Sequence, residues 1–273
     1  MKDHQTPHNL REAWRPLPHV PPDHFIHAFL FRMRLLFDPA VRTIYRDLKE
    51  AFKETSGKVL EVGCGLQPYR HLLPGQAAYY ALDWEKADIH FGYGAGNVLY
   101  YDGARFPFKD EVFNVVFHTE VLEHVYRLGP FLSECYRVLA NDGRMIFTIP
   151  FAARNHYIPH DYWRLTPASL TRLLQEADFV EIVVTPRGND IAVAMHKINS
   201  VFYRLIFRDI PNKIWRGIHR AFFAPLFAAP IVLFTFVGNL SILLKRGSTD
   251  DPLGYTVSCK KIALSANAIP GID

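Results

Sequence analysis

Lys58–Gly65 reads KVLEVGCG. Val59, Leu60, Glu61 and Val62 have strand character and run straight into the turn Gly63-Cys64-Gly65. That order suits a buried parallel strand whose C-terminal end opens onto a ligand. Gly63 and Gly65 let backbone approach a bound molecule where a Cβ would intrude. Glu61 sets a carboxylate beside the opening.

From this strand outward, the pattern alternates. Further strands are predicted at Tyr79–Leu82, Val98–Tyr101, Val112–Phe117, Met145–Thr148, Val180–Thr185 and, near the end, Tyr255–Ile262. Helices fall between several of them, most clearly at Pro130–Leu139 and Pro167–Glu176, and Asn141-Asp142-Gly143 makes a turn. Short apolar strands alternating with helices imply an α/β fold, a parallel sheet covered on both faces. Before it lie a proline-rich arm, Met1–Pro22, and two helices, Phe25–Phe37 and one from Asp38-Pro39 to about Glu54. Both helices are read as cover for the sheet edge; the alternative makes the first a lid or membrane-facing helix.

The 273 residues are 49% apolar, enough for a full core. A net charge of +4, with scattered basic residues, gives no footprint for nucleic acid. Cys64, Cys135 and Cys259 form no CxxC pair and read as small buried residues in a reducing compartment. The polar start does not resemble a secretory signal.

Pro186–Gly254 is too long for a simple connection. It holds Ala221–Leu244, AFFAPLFAAPIVLFTFVGNLSILL, with no charged residue. A single crossing would part the last strand from its sheet. Both flanks are basic, through Lys213, Arg216 and Arg220 before and Lys245 and Arg246 after, so both ends belong on one side. With Pro225 and Pro230 interrupting it, the stretch is expected to form a helical hairpin or an interfacial helix contacting a membrane through 221–244. The alternative is burial against the core or another subunit. Three regions follow: 1–56 as arm and covering helices, 57–189 with 254–265 as the sheet domain, and 190–253 as a hydrophobic helical insertion.

Asp83 lies twenty residues past Gly63, at a strand end, where a carboxylate can accept from both hydroxyls of a ribose. Asp102 ends the third strand, where it could accept from an exocyclic adenine amine. Each acid alone reads as a solvated strand end or helix cap; the ordered set of three does not. Arg105–Val125 follows as RFPFKDEVFNVVFHTEVLEHV, and Phe131–Phe151 as FLSECYRVLANDGRMIFTIPF.

With these blocks the chain resembles the class I S-adenosylmethionine-dependent methyltransferases of Rossmann-like fold. The likeness covers roughly Gly57–Val184 and resumes at Tyr255–Lys261. It implies a mostly parallel seven-stranded sheet with an antiparallel last strand, and S-adenosylmethionine as cofactor. By resemblance, Glu61, Gly63, Cys64 and Gly65 hold the methionine part, Asp83 the ribose and Trp84 packs on the adenine. Asp102 and Gly103 meet the adenine edge, and His118 meets the cofactor from the fourth strand. Two departures stand out: Leu66-Gln67-Pro68-Tyr69 replaces the third loop glycine, and Asn114 replaces a common aspartate.

Pro150–Thr166, PFAARNHYIPHDYWRLT, follows the fifth strand at the ligand edge of such a sheet. It resembles a stretch of one methyltransferase subgroup found in polysaccharide- or lipid-modifying pathways. Methyl transfer to a hydroxyl needs a base. His156 and His160 are the candidates, an ordinary histidine pKa near ~6.5 suiting the task. Asp161 would orient a histidine and Arg164 hold an anionic group. The plainer alternative is a hydrogen-bonded loop in which Asp161 caps the next helix and pairs with Arg164. His124 reads as structural. No metal is expected: Pro159 interrupts His156-x3-His160, and no third ligand stands out.

The expected function is O-methylation of a lipid-linked, glycan or small-molecule acceptor on the cytoplasmic face of a membrane, by a peripheral or monotopic enzyme. The alternative is a cofactor-binding module that has lost transfer and acts as a membrane-associated partner. A nicotinamide-dependent oxidoreductase would need glycine at Pro68.

Overall fold

A computed structural model describes residues 18–92, 94 and 96–262. Most of the proline-rich arm and residues 263–265 of the sheet domain lie outside that range. The elements run α1 Phe25–Phe37, α2 Pro39–Ala51, β1 Gly57–Val62, β2 Ala77–Trp84, α3 Ala87–Phe91, β3 Leu99–Tyr101, β4 Phe113–Thr119, α4 Leu128–Val138, β5 Leu139–Pro150, α5 Pro167–Glu176, β6 Val180–Arg187, α6 Asp190–Ile206, α7 Lys213–Leu243 and β7 Gly254–Lys260.

The seven strands form one sheet in the order β3-β2-β1-β4-β5-β7-β6. All pairings from β3 to β5 are parallel, and β7 runs antiparallel to both β5 and β6. The chain therefore reverses its winding between β1 and β4. At such a switch the loops after the two strands part and leave a crevice at the C-terminal edge. Gly63 and Thr119 end up on either side of it.

Alternation along the strands divides the core. Leu60, Val62, Val116 and Phe147 face Phe131, Leu132 and Cys135 of α4 and Leu170 and Leu174 of α5. Val59, Val115, Phe117 and Ile146 face Ile44, Leu48 and Phe52 at the end of α2. Local chemistry starts these helices. Asp38 accepts from the N–H groups of Ala40 and Val41, with Pro39 at the first helical position. Thr166 caps α5 through Ser169 N–H, with Pro167 next in line.

Of the two N-terminal helices, only α2 is cover. α1 buries Phe31 alone and leaves Phe25, Ile26, Phe29 and Leu30 exposed, Phe25 at 87%. α2 carries the four-residue buried stripe that the sheet needs.

The apolar insertion differs from expectation in where it bends. Ala221–Leu243 lies within one continuous 31-residue helix, α7, with Pro225 and Pro230 inside it. The hairpin is made by α6 and α7, and its turn is at 207–212. Each proline costs its helix a hydrogen bond, but packing against α6 supports the segment. Phe202 stacks on Phe227 at 4.6 Å, and Asn199 donates to Thr235 Oγ1 at 3.0 Å. Gly238 lets the helices close up: a Cβ there would meet Ala192 Cα at 3.5 Å. Both ends of the hairpin return to the sheet, where Asn189 accepts from Ser241 and donates to Arg246 C=O.

Candidate active site

The C-terminal ends of β1, β2 and β3 bring the predicted acids to one rim. Gly63 N–H and Cys64 N–H both reach Leu82 C=O, so the glycine turn folds over β2. Asp83 then meets it: Oδ2 accepts from Gly65 N–H at 2.9 Å and Oδ1 from Trp84 N–H at 2.8 Å. Burial lifts the Asp83 carboxyl above its ordinary pKa, and those two N–H groups work the other way. Gly63 has φ +67°, and a Cβ there would lie 2.6 Å from Val121 Cγ2. Left-handed backbone and lack of space both demand glycine.

Glu61 is 1% exposed and accepts from the Tyr79 hydroxyl on the neighbouring strand. Burial raises its carboxyl to about 8, Asp83 adds to the rise, and Tyr79 and Arg70 oppose it. Cys64 is buried with Sγ 3.9 Å from Asp83 Oδ2, and burial raises its thiol far above the usual range. It contributes backbone to the turn, and its thiol is inert. Like Cys64, Cys135 and Cys259 are free and buried. Asp102 is exposed and accepts from Ala104 and Arg105 N–H groups, making the local cap foreseen as its plainer role while standing at the rim. Gly103 (φ +86°) passes close to Trp84, where a Cβ would come within 3.3 Å of Nε1. One face of the Trp84 indole is stacked on His90 at 5.1 Å.

His118 corrects an expectation. Its ring is fully buried between Phe147, stacked at 4.6 Å, and Phe131. Neither nitrogen has a hydrogen-bond partner among the described residues, and burial lowers its pKa to about 3. The alternation of β4 aims this side chain into the α4 layer, away from the rim.

The loop after β5 supplies the other wall. Arg164 spends its donors within the loop: two on the Asp161 carboxylate, at 2.7 and 2.8 Å, and the rest on the carbonyls of Ala153, Arg154 and Trp163. It clamps the loop and does not present a free anion site, contrary to the substrate-holding role expected. Asp161 does orient a histidine, accepting from His156 N–H at 2.9 Å and lying 3.2 Å from His156 Nδ1. It does not cap α5.

The two candidate bases diverge. Burial opposes charge on His156, but Asp161 and Glu123 more than offset that and hold it at about 10. At neutral pH it is an imidazolium, which corrects its expected role as a base with an ordinary pKa. Burial and the neighbouring His90 and His124 lower the His160 pKa, so that ring stays neutral. It sits 3.0 Å from the Tyr162 hydroxyl, 3.1 Å from His90 Nδ1 and 5.8 Å from Trp84 between ring centres. His156 and His160 do not share a site.

What joins His156 is Glu123 and His124, from the turn after β4. Glu123 is 0% exposed. His124 Nε2 lies 3.6 Å and His156 Nε2 3.8 Å from its Oε1. Nearby, Glu120 accepts from buried Arg187 at 2.7 Å, and Arg187 also reaches Thr43 Oγ1 and the carbonyls of Ala40 and Ile149. Sequence reasoning passed over Glu120 and Glu123. The available signal was a Glu-x-x-Glu-His run in which buried Leu122 leaves the carboxylates on an otherwise apolar turn.

Residues 60–147 match the family model described as "Methyltransferase domain". A Mycobacterium tuberculosis (H37Rv) relative named "Probable S-adenosylmethionine-dependent methyltransferase" is 28% identical over 176 residues, 59% of this chain and 64% of its own length. A Mycolicibacterium smegmatis relative of the same description is 30% identical over 131 residues, covering 46% of this chain and 50% of its own. The chain thus spans less than two thirds of these relatives. The crystal structure of a SAM-dependent methyltransferase from Archaeoglobus fulgidus matches the fold with a TM-score of 0.51 at 17% identity, covering 86% of this chain and 99% of that one.

Residues 60–147 thus resemble a methyltransferase domain, and the sheet order gives the Rossmann-like fold that the Archaeoglobus fulgidus structure shares. The relatives are named for S-adenosylmethionine, and the rim fits that cofactor. A turn whose Gly63 leaves no room for a Cβ lies beside a buried carboxylate already oriented by two N–H groups. Glu61, carrying a proton at neutral pH, would release it beside a cation, because opposite charge favours the carboxylate.

Proposed function

We propose that this protein transfers the methyl group of S-adenosylmethionine to an oxygen of a lipid-linked, glycan or small-molecule acceptor at the cytoplasmic face of a membrane. The observation that carries the reading is Asp83, buried at the end of β2 and fixed against the glycine turn of β1. Glu61, Gly63, Gly65, Asp83, Trp84, Asp102 and Gly103 would line the cofactor site. The cofactor supplies an electrophilic methyl; the chain's task is to align it and exclude water. Neutral His160, next to Trp84, would take the proton from the acceptor in exchange for its contact with Tyr162 or His90.

The membrane part rests on exposed apolar surface. On α7, Ile214, Trp215, Phe222 and Phe236 are 61–73% exposed, and α1 adds Phe25, Ile26 and Phe29. The two helices are neighbours, Asn239 donating to Leu36 C=O at 3.1 Å. Apolar surface this extensive on a chain with basic Lys213, Arg216 and Arg220 suits an anionic lipid interface. α7 is long and apolar enough to cross a bilayer, but the α6–α7 hairpin, with both ends at the sheet, favours lying in the interface.

The test uses cofactor carrying a labelled methyl, incubated with the protein and a membrane extract. Label is expected in a lipid-linked or glycan fraction, and Asp83→Asn should abolish it. Cofactor binding without any transfer would support the inactive-module alternative.

A further inference from the structure

We propose that Glu123, His124 and His156 form a binding site for one divalent transition-metal ion of the zinc type. The three come from two loops, the turn after β4 and the segment after β5, and their ligand atoms all lie within 4.8 Å of one another. Zinc with nitrogen and oxygen ligands at about 2.0–2.2 Å needs ligand atoms about 3.3 Å apart. Glu123 Oε1 is already 3.6 Å and 3.8 Å from the two Nε2 atoms. Side-chain rotation supplies the rest.

Two features distinguish this cluster from a chance grouping. First, both rings have their other nitrogen committed. His124 Nδ1 faces His160 C=O at 2.5 Å, and His156 Nδ1 faces Arg154 C=O at 3.0 Å and the Asp161 carboxylate at 3.2 Å. These partners can only accept, so Nδ1 carries a hydrogen in each ring and Nε2 faces the cluster; an incoming metal ion would displace the second proton that the His156 imidazolium holds. That is the outer-shell arrangement that orients metal-bound histidines. Second, Glu123 is fully buried, and neither of its carboxylate oxygens has a hydrogen-bond partner among the described residues. The His156 imidazolium balances its charge from 3.8 Å without a hydrogen bond, which leaves the buried oxygens unsatisfied; a metal ion among the three would bond the carboxylate directly. Two imidazoles and one carboxylate favour zinc-like ions over magnesium or calcium.

Three protein ligands leave a coordination position free. His124 and His156 keep 12% and 20% side-chain exposure, so the opening lies on their side. The His124 ring is 5.3 Å from that of Phe91, on the short helix after β2, and Val121 abuts Gly63. The ion would sit beside the cofactor rim, and its free position would hold an oxygen of the acceptor. That role rests on the methyltransferase reading; the site itself does not. The site would supply the third ligand that does not stand out in the sequence: His156 has Glu123 and His124 beside it, and His160 plays no part.

The test is titration of chelator-stripped, full-length protein with Co²⁺, followed by visible absorption, with S-adenosylhomocysteine binding measured on the same samples. Wild type should saturate at one Co²⁺ per chain with intense low-symmetry d–d bands, and Zn²⁺ should displace it. Glu123→Gln and His156→Gln should each weaken Co²⁺ binding by 100-fold or more and leave S-adenosylhomocysteine binding within threefold. His124→Gln stands in if either variant fails to fold. No stoichiometric Co²⁺ or Zn²⁺ uptake, or uptake indifferent to these substitutions, overturns the site. Lost cofactor binding in wild type would instead overturn the methyltransferase reading. Metal uptake with methyl transfer unchanged after stripping would overturn only the role in holding the acceptor.

Discussion

Replacing Asp83 by Asn keeps the shape of the side chain and removes what the cofactor site asks of it. The carboxylate accepts from Gly65 N–H and Trp84 N–H through different oxygens. A carboxamide can serve one of them and must turn its NH2 toward the other. Leaving that buried N–H unpaired costs about 1–3 kcal/mol of folding stability. The larger loss falls on binding. Two ribose hydroxyls donating to a buried carboxylate are charge-assisted bonds, worth about 1.5 kcal/mol each at the lower end. Losing both is about 3 kcal/mol, or roughly 100-fold in Kd. Isothermal titration with S-adenosylhomocysteine, on protein shown by circular dichroism to be folded, measures it. A folded Asp83→Asn protein that binds within threefold of wild type would refute the assignment of Asp83 to the ribose.

His118 makes stability depend on pH. Its native pKa of about 3 lies below an unfolded value of 6.5, so the unfolded chain takes the proton first. Stability is full above pH 6.5 and falls by about 1.4 kcal/mol per unit as the pH drops from there toward 3; urea unfolding of wild type and His118→Phe at pH 7, 6 and 5 should show the slope reduced in the variant. Arg187→Met leaves Glu120 without its cation and unties α2 from the sheet, so the urea midpoint should fall by the equivalent of about 3–5 kcal/mol. Gly63→Ala meets both a positive φ and Val121 at 2.6 Å; a loss of about 1–2 kcal/mol for the backbone alone is expected by thermal melting, together with weaker cofactor binding. Phe222→Glu with Phe236→Glu should abolish co-sedimentation with anionic phospholipid vesicles and leave the melting temperature within a few degrees, since both side chains are exposed; a variant that unfolds would favour burial of this face against protein.

The sheet was legible because its signals are local. Each predicted strand is present, since a run such as Val59–Val62 has to be buried on both faces and so is apolar but for Glu61, which points at the site. Glycine at 63 and carboxylates at strand ends likewise declare themselves. Side-chain partners were less readable. Whether His118 meets a ligand or a phenylalanine depends on which face of β4 it occupies, and four consecutive buried residues, Val115–His118, hide that alternation. His156 and Glu123 are 33 positions apart, so the pull that Glu123 exerts on the His156 pKa is visible only once β4 and β5 are paired. The prolines of α7 misled for a related reason: they weaken a helix locally, but its pairing with α6 is set at long range.

A crystal structure with S-adenosylhomocysteine bound tests the central claim most directly. The ribose hydroxyls should lie within about 3 Å of the Asp83 carboxylate, the amino-acid tail along Gly63–Gly65 and the adenine against Trp84 with its edge toward Asp102 and Gly103. A nucleoside found on any other edge of the sheet, out of reach of Asp83, would contradict it.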